Sequence, residues 1–345
     1  MSGLSVLAQE VAARTHELSS GIAEHAVVTP LTSMRVASEL SGAEIIVKRE
    51  HLQETGSFKV RGALAKLLTL SSGQRERGVV AASTGNHGLG VAYALSALGG
   101  NGIVCVPGSA AEVKVAAIKR YGAEVRVLGR DPAQTESLAR TLAADEGMTY
   151  ISPYNDLDVI AGQGTIGQEI VSQLSGRPVH AIVVAVGGGG LISGIAATVK
   201  PALPGVRVIG VSPANDAAMA ASVRAGKVTS VDALPTISDG TAGGVEEGSV
   251  TLPLCTELVD EWMLIEEPDI CSALRFMIDT EHQLVEGSAA MAIAAGLMAG
   301  RNSPGQTIAV VSCGANISAN VLAGAIASAR GNDETRSATA HGAQY

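Results

Sequence analysis

The stretch AIVVAVGGGGLISGIAA, residues 181–197, decides the fold. Its opening run, 181–186, is apolar at every position and reads as a strand covered on both faces, the habit of parallel sheets. Gly187, Gly188, Gly189 and Gly190 follow, and such a run lets the backbone approach an anion and turn its N–H groups inward. From Leu191 the apolar spacing becomes helical. A strand that enters a helix through a glycine turn places a ligand site at the carboxyl end of the strand. The glycines lack the GxGxxG spacing of a dinucleotide turn, and neither a Walker A sequence nor a GxSxG elbow occurs anywhere in the chain.

Working outward, further short β-branched runs lie at 45–48, 79–82, 103–106, 124–128, 206–211 and 308–312. Helical patterns such as 88–98, 112–121 and 133–146 separate them. This alternation predicts an α/β fold with mainly parallel sheets flanked by helices. A length of 345 residues suits roughly two domains. Hydrophobic residues make up 46% and aromatics only 2%, so the core must be built from Ala, Val, Ile and Leu. The polar tail 331–345 is expected to be disordered, and no room remains after the last strand for an ordinary regulatory domain.

A net charge of −9 leaves no broad basic surface for nucleic acid or anionic membrane. Cys105, Cys255, Cys271 and Cys313 are widely spaced and form no CxxC pair, which suits free thiols in a reducing cytoplasm. The N-terminal segment lacks the continuous apolar stretch of a signal peptide, and no apolar run is long enough to span a membrane. HExxH is absent and the His residues are scattered, so no metal site is expected.

Three more turns follow strands. The segment 54–63, ETGSFKVRGA, carries Lys59, with a helix expected to begin near Ser57 as N-cap. That puts Lys59 in a first helical turn, where the positive helix end lowers an amine's proton affinity and suits it to act as nucleophile and base. After strand 79–82 come Ser83, Thr84, Gly85, Asn86, His87 and Gly88, whose hydroxyls and free amides at a helix start fit a carboxylate. After 308–311 come Ser312, Cys313, Gly314, Ala315 and Asn316; a hydroxyl there could bond a ligand ring nitrogen or merely cap a helix.

These pieces, in this order, resemble the fold-type II (tryptophan synthase β-like) pyridoxal-phosphate enzymes, and most nearly the threonine/serine dehydratases and serine racemases. The likeness runs from about Pro30 to Leu322 and includes AGQGTI at 161–166 and EGSA at 286–289. The resemblance implies pyridoxal 5′-phosphate as cofactor, held by Lys59 as a Schiff base, with Phe58 packed beside the ring and Asn86 on its 3′ oxygen. It implies that Gly187 to Gly190 with Leu191 hold the phosphate and that Ser312 faces the pyridine nitrogen. Glu286 and the backbone of Gly240 would lie near the ring edge, and Ser83, Thr84, Gly85, Asn86 and His87 would clamp a substrate carboxylate. A large domain (1–66 and 156–330), a small domain (67–155) and a homodimer or homotetramer are implied as well.

By the same likeness the expected reaction is dehydration and deamination of a β-hydroxy amino acid such as L-threonine or L-serine to a 2-oxo acid and ammonia. Lys59 would take the α proton, and a neutral Ser312 would not strongly hold the ring nitrogen protonated. Other readings remain: a racemase with Thr84 on the second face, a dehydratase for 3-phenylserine or a hydroxyectoine breakdown product, and a cofactor-binding sensor. A sulfhydrylase-type transferase is disfavoured, because those relatives carry Asn-Thr-Gly where this chain has Asn86-His87-Gly88. Several relatives hold a divalent cation through acids at the positions of Ser212 and Ala218, so no such site is expected here.

Overall fold

The computed structural model describes residues 3–329. Ten strands form in chain order: β1 (Leu31–Ser33), β2 (Glu44–Lys48), β3 (Val79–Ala82), β4 (Gly102–Val106), β5 (Glu124–Val127), β6 (Thr149–Tyr150), β7 (Ala181–Ala185), β8 (Arg207–Pro213), β9 (Glu261–Ile265) and β10 (Thr307–Val311). They build two sheets, one ordered β1-β2-β10-β7-β8-β9 and one ordered β5-β4-β3-β6. Every pairing is parallel except β1 with β2. The expected α/β architecture is therefore present. The tail 331–345 lies outside the described residues.

β10 sits between β2 and β7, with Ala309 opposite both Ile46 and Ile182. All three strands are buried almost throughout, which explains the apolar runs at 45–47, 181–185 and 308–311. Because they are parallel neighbours, the segments that leave them emerge at one sheet edge. That edge collects the turn before Lys59, the glycine turn and the Ser312 turn. The strands of the second sheet all fall between Val79 and Tyr150, and β3 delivers the Ser83 turn.

Small residues let the helices pack closely. On the helix Gly190–Ala202, a Cβ at Gly194 would stand 2.2 Å from the Ile160 carbonyl oxygen of the helix Leu157–Leu174. Only glycine permits that approach. The second of these helices is capped by Asp156, which accepts from the amides of Asp158 (2.8 Å) and Val159 (3.2 Å).

A buried ionic cluster fastens the first sheet to the helices beside it. Arg61 is 1% exposed and Glu50 is fully buried. The guanidinium donates to Glu50 Oε2 (2.7 Å) and Oε1 (2.9 Å), and to Glu169 Oε1 (2.7 Å) and Oε2 (3.0 Å). It also reaches Thr165 Oγ1 (3.1 Å) and the Val27 carbonyl (3.1 Å). Lys48 Nζ joins Glu169 and donates to the Thr29 carbonyl at 2.6 Å.

Three strands escape the sequence reading. β1 and β6 are too short for a period to register, and β9 is an edge strand with mixed burial. One helix start is also corrected. Ser57 does not cap a helix; it forms an isolated bridge with Gly314, and the helix begins at Lys59 with Phe58 at the N-cap. Among the described residues no helix is long and apolar enough to cross a membrane.

Candidate active site

Lys59 opens the helix Lys59–Thr69, and its side chain runs inward beside Phe58, with Nζ 5.3 Å from that ring's centroid. Nζ donates to the Pro153 carbonyl at 2.8 Å. Desolvation lowers the amine to about 8, against weaker opposing pulls from Cys313 and Glu286. A sizeable share of this lysine is thus neutral near pH 8, which a nucleophilic amine requires.

Next to Pro153, Tyr154 lies against the glycine turn, where a Cβ at Gly188 would come within 2.4 Å of its ring. Gly189 has φ +86, and a Cβ there would meet Cys255 Sγ at 2.9 Å. The turn is thus closed from behind, and side chains are excluded from it. Its carbonyls are tied back: Gly188 accepts from Thr251 Oγ1 at 2.7 Å and Gly189 from the Ser193 amide at 3.0 Å. Among the described residues nothing accepts from the amides of Gly187, Gly188, Gly189, Gly190 or Leu191. A helix leaves its first amides unpaired, and the glycines extend that row into an anion nest.

The Ser83 turn meets the first sheet through a polar network. Asn86 Nδ2 lies 3.0 Å from both carboxylate oxygens of Glu286. Asn86 Oδ1 accepts from Asn316 Nδ2 at 2.6 Å, and Asn316 in turn donates to the Thr55 carbonyl and, through its amide, to Glu286 Oε2 at 3.1 Å. Gly240 stands against the same carboxylate, where a Cβ would be 3.3 Å from Glu286 Oε1. Burial pushes Glu286 up to about 7, despite the opposing hydrogen bonds from Asn86 and Asn316.

That shift has a testable consequence. The unfolded carboxyl loses its proton near 4.5 and the folded one near 7, so the fold binds the extra proton between these values. Stability from this group is full below about 4.5 and is lost as pH rises through 7. Glu286→Gln removes the titration. Its unfolding free energy relative to the parent is expected to rise by roughly 3 kcal/mol from pH 5 to pH 8. Urea titrations of both proteins at the two pH values check this; a constant difference refutes it.

The helix after β3 starts at Asn86, with Gly85 at the N-cap, so neither Ser83 nor Thr84 is the cap. Ser83 Oγ instead accepts from the Gly85 amide at 3.1 Å. His87 follows Asn86 in this helix. Its ring is buried and Nε2 lies 2.9 Å from the Ile151 carbonyl, while burial lowers its pKa to about 3. The neutral ring therefore donates to Ile151 and braces the helix. Only the His87 backbone remains to serve the turn.

Ser312 is fully buried at the end of β10, and its Oγ lies 2.7 Å from His51 Nδ1. His51, Asn316 and Tyr154 belong to this site but carry no role in the sequence reading. Asn316 could have been noticed from its place in the turn 312–316. His51 and Tyr154 are brought in by tertiary folding alone. Ser212 Oγ is spent on the Val186 carbonyl at 3.0 Å, and Asp216 accepts from the Gly243 amide at 2.7 Å.

The family model described as "Pyridoxal-phosphate dependent enzyme" matches residues 22–314. The chain belongs to the pyridoxal-phosphate dependent enzymes. It is 40% identical over 294 residues to the L-threonine ammonia-lyase of Thermotoga maritima, covering 85% of this chain and 72% of that one. Threonine deaminase isoform 2 from Solanum lycopersicum, in its processed form, superposes with a TM-score of 0.89 at 32% identity, covering 95% and 94% of the two chains. Maize serine racemase superposes with a TM-score of 0.85 at 27% identity, covering 94% and 98%.

The residues present fit the cofactor that gives the family its name. The phosphate needs a row of unpaired amides, and residues 187–191 supply one. The aldehyde needs a partly neutral amine, and Lys59 supplies it. A buried polar atom, Ser57 Oγ, has no partner in the same segment.

Proposed function

We propose that this enzyme is an ammonia-lyase that converts a β-hydroxy amino acid, L-threonine or L-serine by default, to a 2-oxo acid and ammonia. The observation that carries the reading is a lysine amine, lowered to about 8, beside a glycine turn with a row of free amides. The likeness to threonine ammonia-lyase and threonine deaminase supports the choice of substrate class.

In this reading Lys59 Nζ holds the cofactor, and the amides of Gly187, Gly188, Gly189, Gly190 and Leu191 hold its phosphate. The bound cofactor supplies an aldehyde carbon for an amine and a ring that draws electrons from the substrate α-carbon. Phe58 would pack beside that ring, and Ser312 Oγ would face its nitrogen. Asn86, held by its hydrogen bonds to Glu286 and Asn316, would take the 3′ oxygen. Gly240 and Glu286 would line the ring edge. Ser83, Thr84 and Gly85, with the backbone amides of Asn86 and His87, bind the substrate carboxylate at a helix start. Freed by the incoming substrate amine, Lys59 Nζ takes the α proton. The β-hydroxyl then leaves as water, and hydrolysis of the carbon–nitrogen bond releases ammonia.

The reading includes residues 67–155 as a small domain that carries the carboxylate turn against a large domain formed by 1–66 and 156–330. It also includes a homodimer or homotetramer, and a cytoplasmic setting consistent with four free cysteines.

The experiment is an incubation of the cofactor-loaded enzyme with L- and D-threonine, L- and D-serine and 3-phenylserine. Equal amounts of 2-oxo acid and ammonia from at least one of them are expected. Racemised substrate without 2-oxo acid would instead assign a racemase, and no turnover on the whole panel would leave a binding protein.

A further inference from the structure

We propose that Tyr154 is a positioning residue: its ring, anchored through its hydroxyl, holds the glycine turn in the place relative to Lys59 that the cofactor requires. This rests on the reading that the amides of residues 187–191 hold the cofactor phosphate and Lys59 its aldehyde.

The turn cannot hold its own shape. Four successive glycines bring no side chain, and glycine backbone reaches conformations closed to other residues. Gly189 uses that freedom, at φ +86. The shape must therefore be imposed by neighbours. Thr251 Oγ1 and the Ser193 amide fix the carbonyls of Gly188 and Gly189. Tyr154 sets the Cα side. A Cβ built on Gly188 would stand 2.4 Å from Tyr154 Cγ, 2.4 Å from Cδ1 and 2.6 Å from Cδ2, so the face of the ring lies against this residue. A Cβ on Gly190 would stand 3.0 Å from both Tyr154 Cα and Cβ. One residue thus seats two of the four glycines.

The ring is itself tied down. Its hydroxyl accepts from the Glu246 amide at 2.9 Å. The next residue repeats the connection: Asn155 Nδ2 donates to Glu246 Oε2 at 2.9 Å, and Asn155 Oδ1 accepts from the Val250 amide at 3.0 Å. Val250 directly precedes Thr251, the residue that bonds the Gly188 carbonyl. Glu246 also pairs with Arg140 Nη2 at 3.0 Å. Tyr154, the segment 246–251 and the glycine turn therefore brace one another in a closed ring of contacts. The amine belongs to the same frame, since the Pro153 carbonyl, one residue before Tyr154, accepts from Lys59 Nζ at 2.8 Å.

Lys59 and the amides of residues 187–191 open different helices, and a rigid ligand has to meet both at once. Removing the Tyr154 ring frees the Cα side of Gly188, so the amides drift while the Lys59 side chain keeps its place. The loss should then fall on the phosphate alone. A tyrosine that served only general packing would weaken every ligand of the site alike.

The test compares pyridoxal 5′-phosphate with pyridoxal, which has the same aldehyde and ring but no phosphate. The affinity of each is read from the absorbance of the amine-bound ligand. The parent is expected to favour the phosphorylated form. Tyr154→Ala is expected to weaken pyridoxal 5′-phosphate by about 10- to 100-fold, the worth of one charge-assisted hydrogen bond, and to leave pyridoxal unchanged. Tyr154→Phe keeps the ring and loses the anchor, so a loss of about 2- to 10-fold is expected, again for the phosphorylated form only. Equal losses for the two ligands overturn the proposal. So does a parental ratio in the phenylalanine variant, even where the alanine variant does not fold. A parent that binds both ligands equally refutes instead the reading of the glycine turn as the phosphate site.

Discussion

Lys59→Ala is expected to abolish the absorbance of amine-bound cofactor and to lower turnover by at least about 1,000-fold. The size follows from two losses at one atom. The side chain that would hold the aldehyde is gone, and so is the amine that would take the α proton. The fold should survive, because Nζ makes a single hydrogen bond, to the Pro153 carbonyl. The amides of residues 187–191 remain, so the variant should still bind cofactor reversibly and release it on dialysis. Absorbance before and after dialysis, with single-turnover assays, checks both points. A variant with parental turnover would remove the basis of the proposed activity.

Arg61→Met is expected to cost about 3–5 kcal/mol of stability. Arg61 lies two positions beyond Lys59 in the same segment, yet it has no part in the chemistry. Its guanidinium neutralises Glu50 and Glu169 together, and Glu50 is fully buried. Attraction to Glu50 and Glu169 holds the guanidinium charged despite its burial, and the same attraction lowers the Glu50 carboxyl. Methionine fills much of the volume but leaves two carboxylates with one nearby cation, Lys48. Arg61→Lys should recover only part of the loss, because a point charge cannot donate in pairs to two carboxylates. Urea denaturation measures both, and a loss under about 1 kcal/mol for the methionine variant would show that the cluster relaxes.

Much of this was legible in the chain. Seven strands declare themselves by β-branched runs, and the most deeply buried of them, such as β7, are apolar at every position. β9, EWMLI, lacks a β-branched run apart from its last residue and meets solvent at a sheet edge. The glycine turn and Ser312 could be located because each directly follows a strand, and Lys59 because its segment opens the next α-helix after β2. Their partners could not, since a hydrogen bond between residues 51 and 312 leaves no trace in local spacing. The Ser57 cap was misplaced for a related reason. Ser57 is a good cap type, but its backbone is engaged by Gly314 from a segment far away in sequence. That the His87 ring is buried against the Ile151 carbonyl is likewise visible only in the folded chain.

Cys105, Cys255, Cys271 and Cys313 are all free and all buried. Burial raises each thiol, Cys105 to about 11 and Cys255 to about 12, so none offers a reactive thiolate at neutral pH. A thiol-specific label can therefore attach only while the surrounding structure is open. Cys105 sits in β4, and the other three belong to the core around the larger sheet. The polypeptide thus carries its own reporters of breathing, one in the smaller sheet and three around the larger, and their labelling rates would separate local opening of the two sheets without any engineered probe.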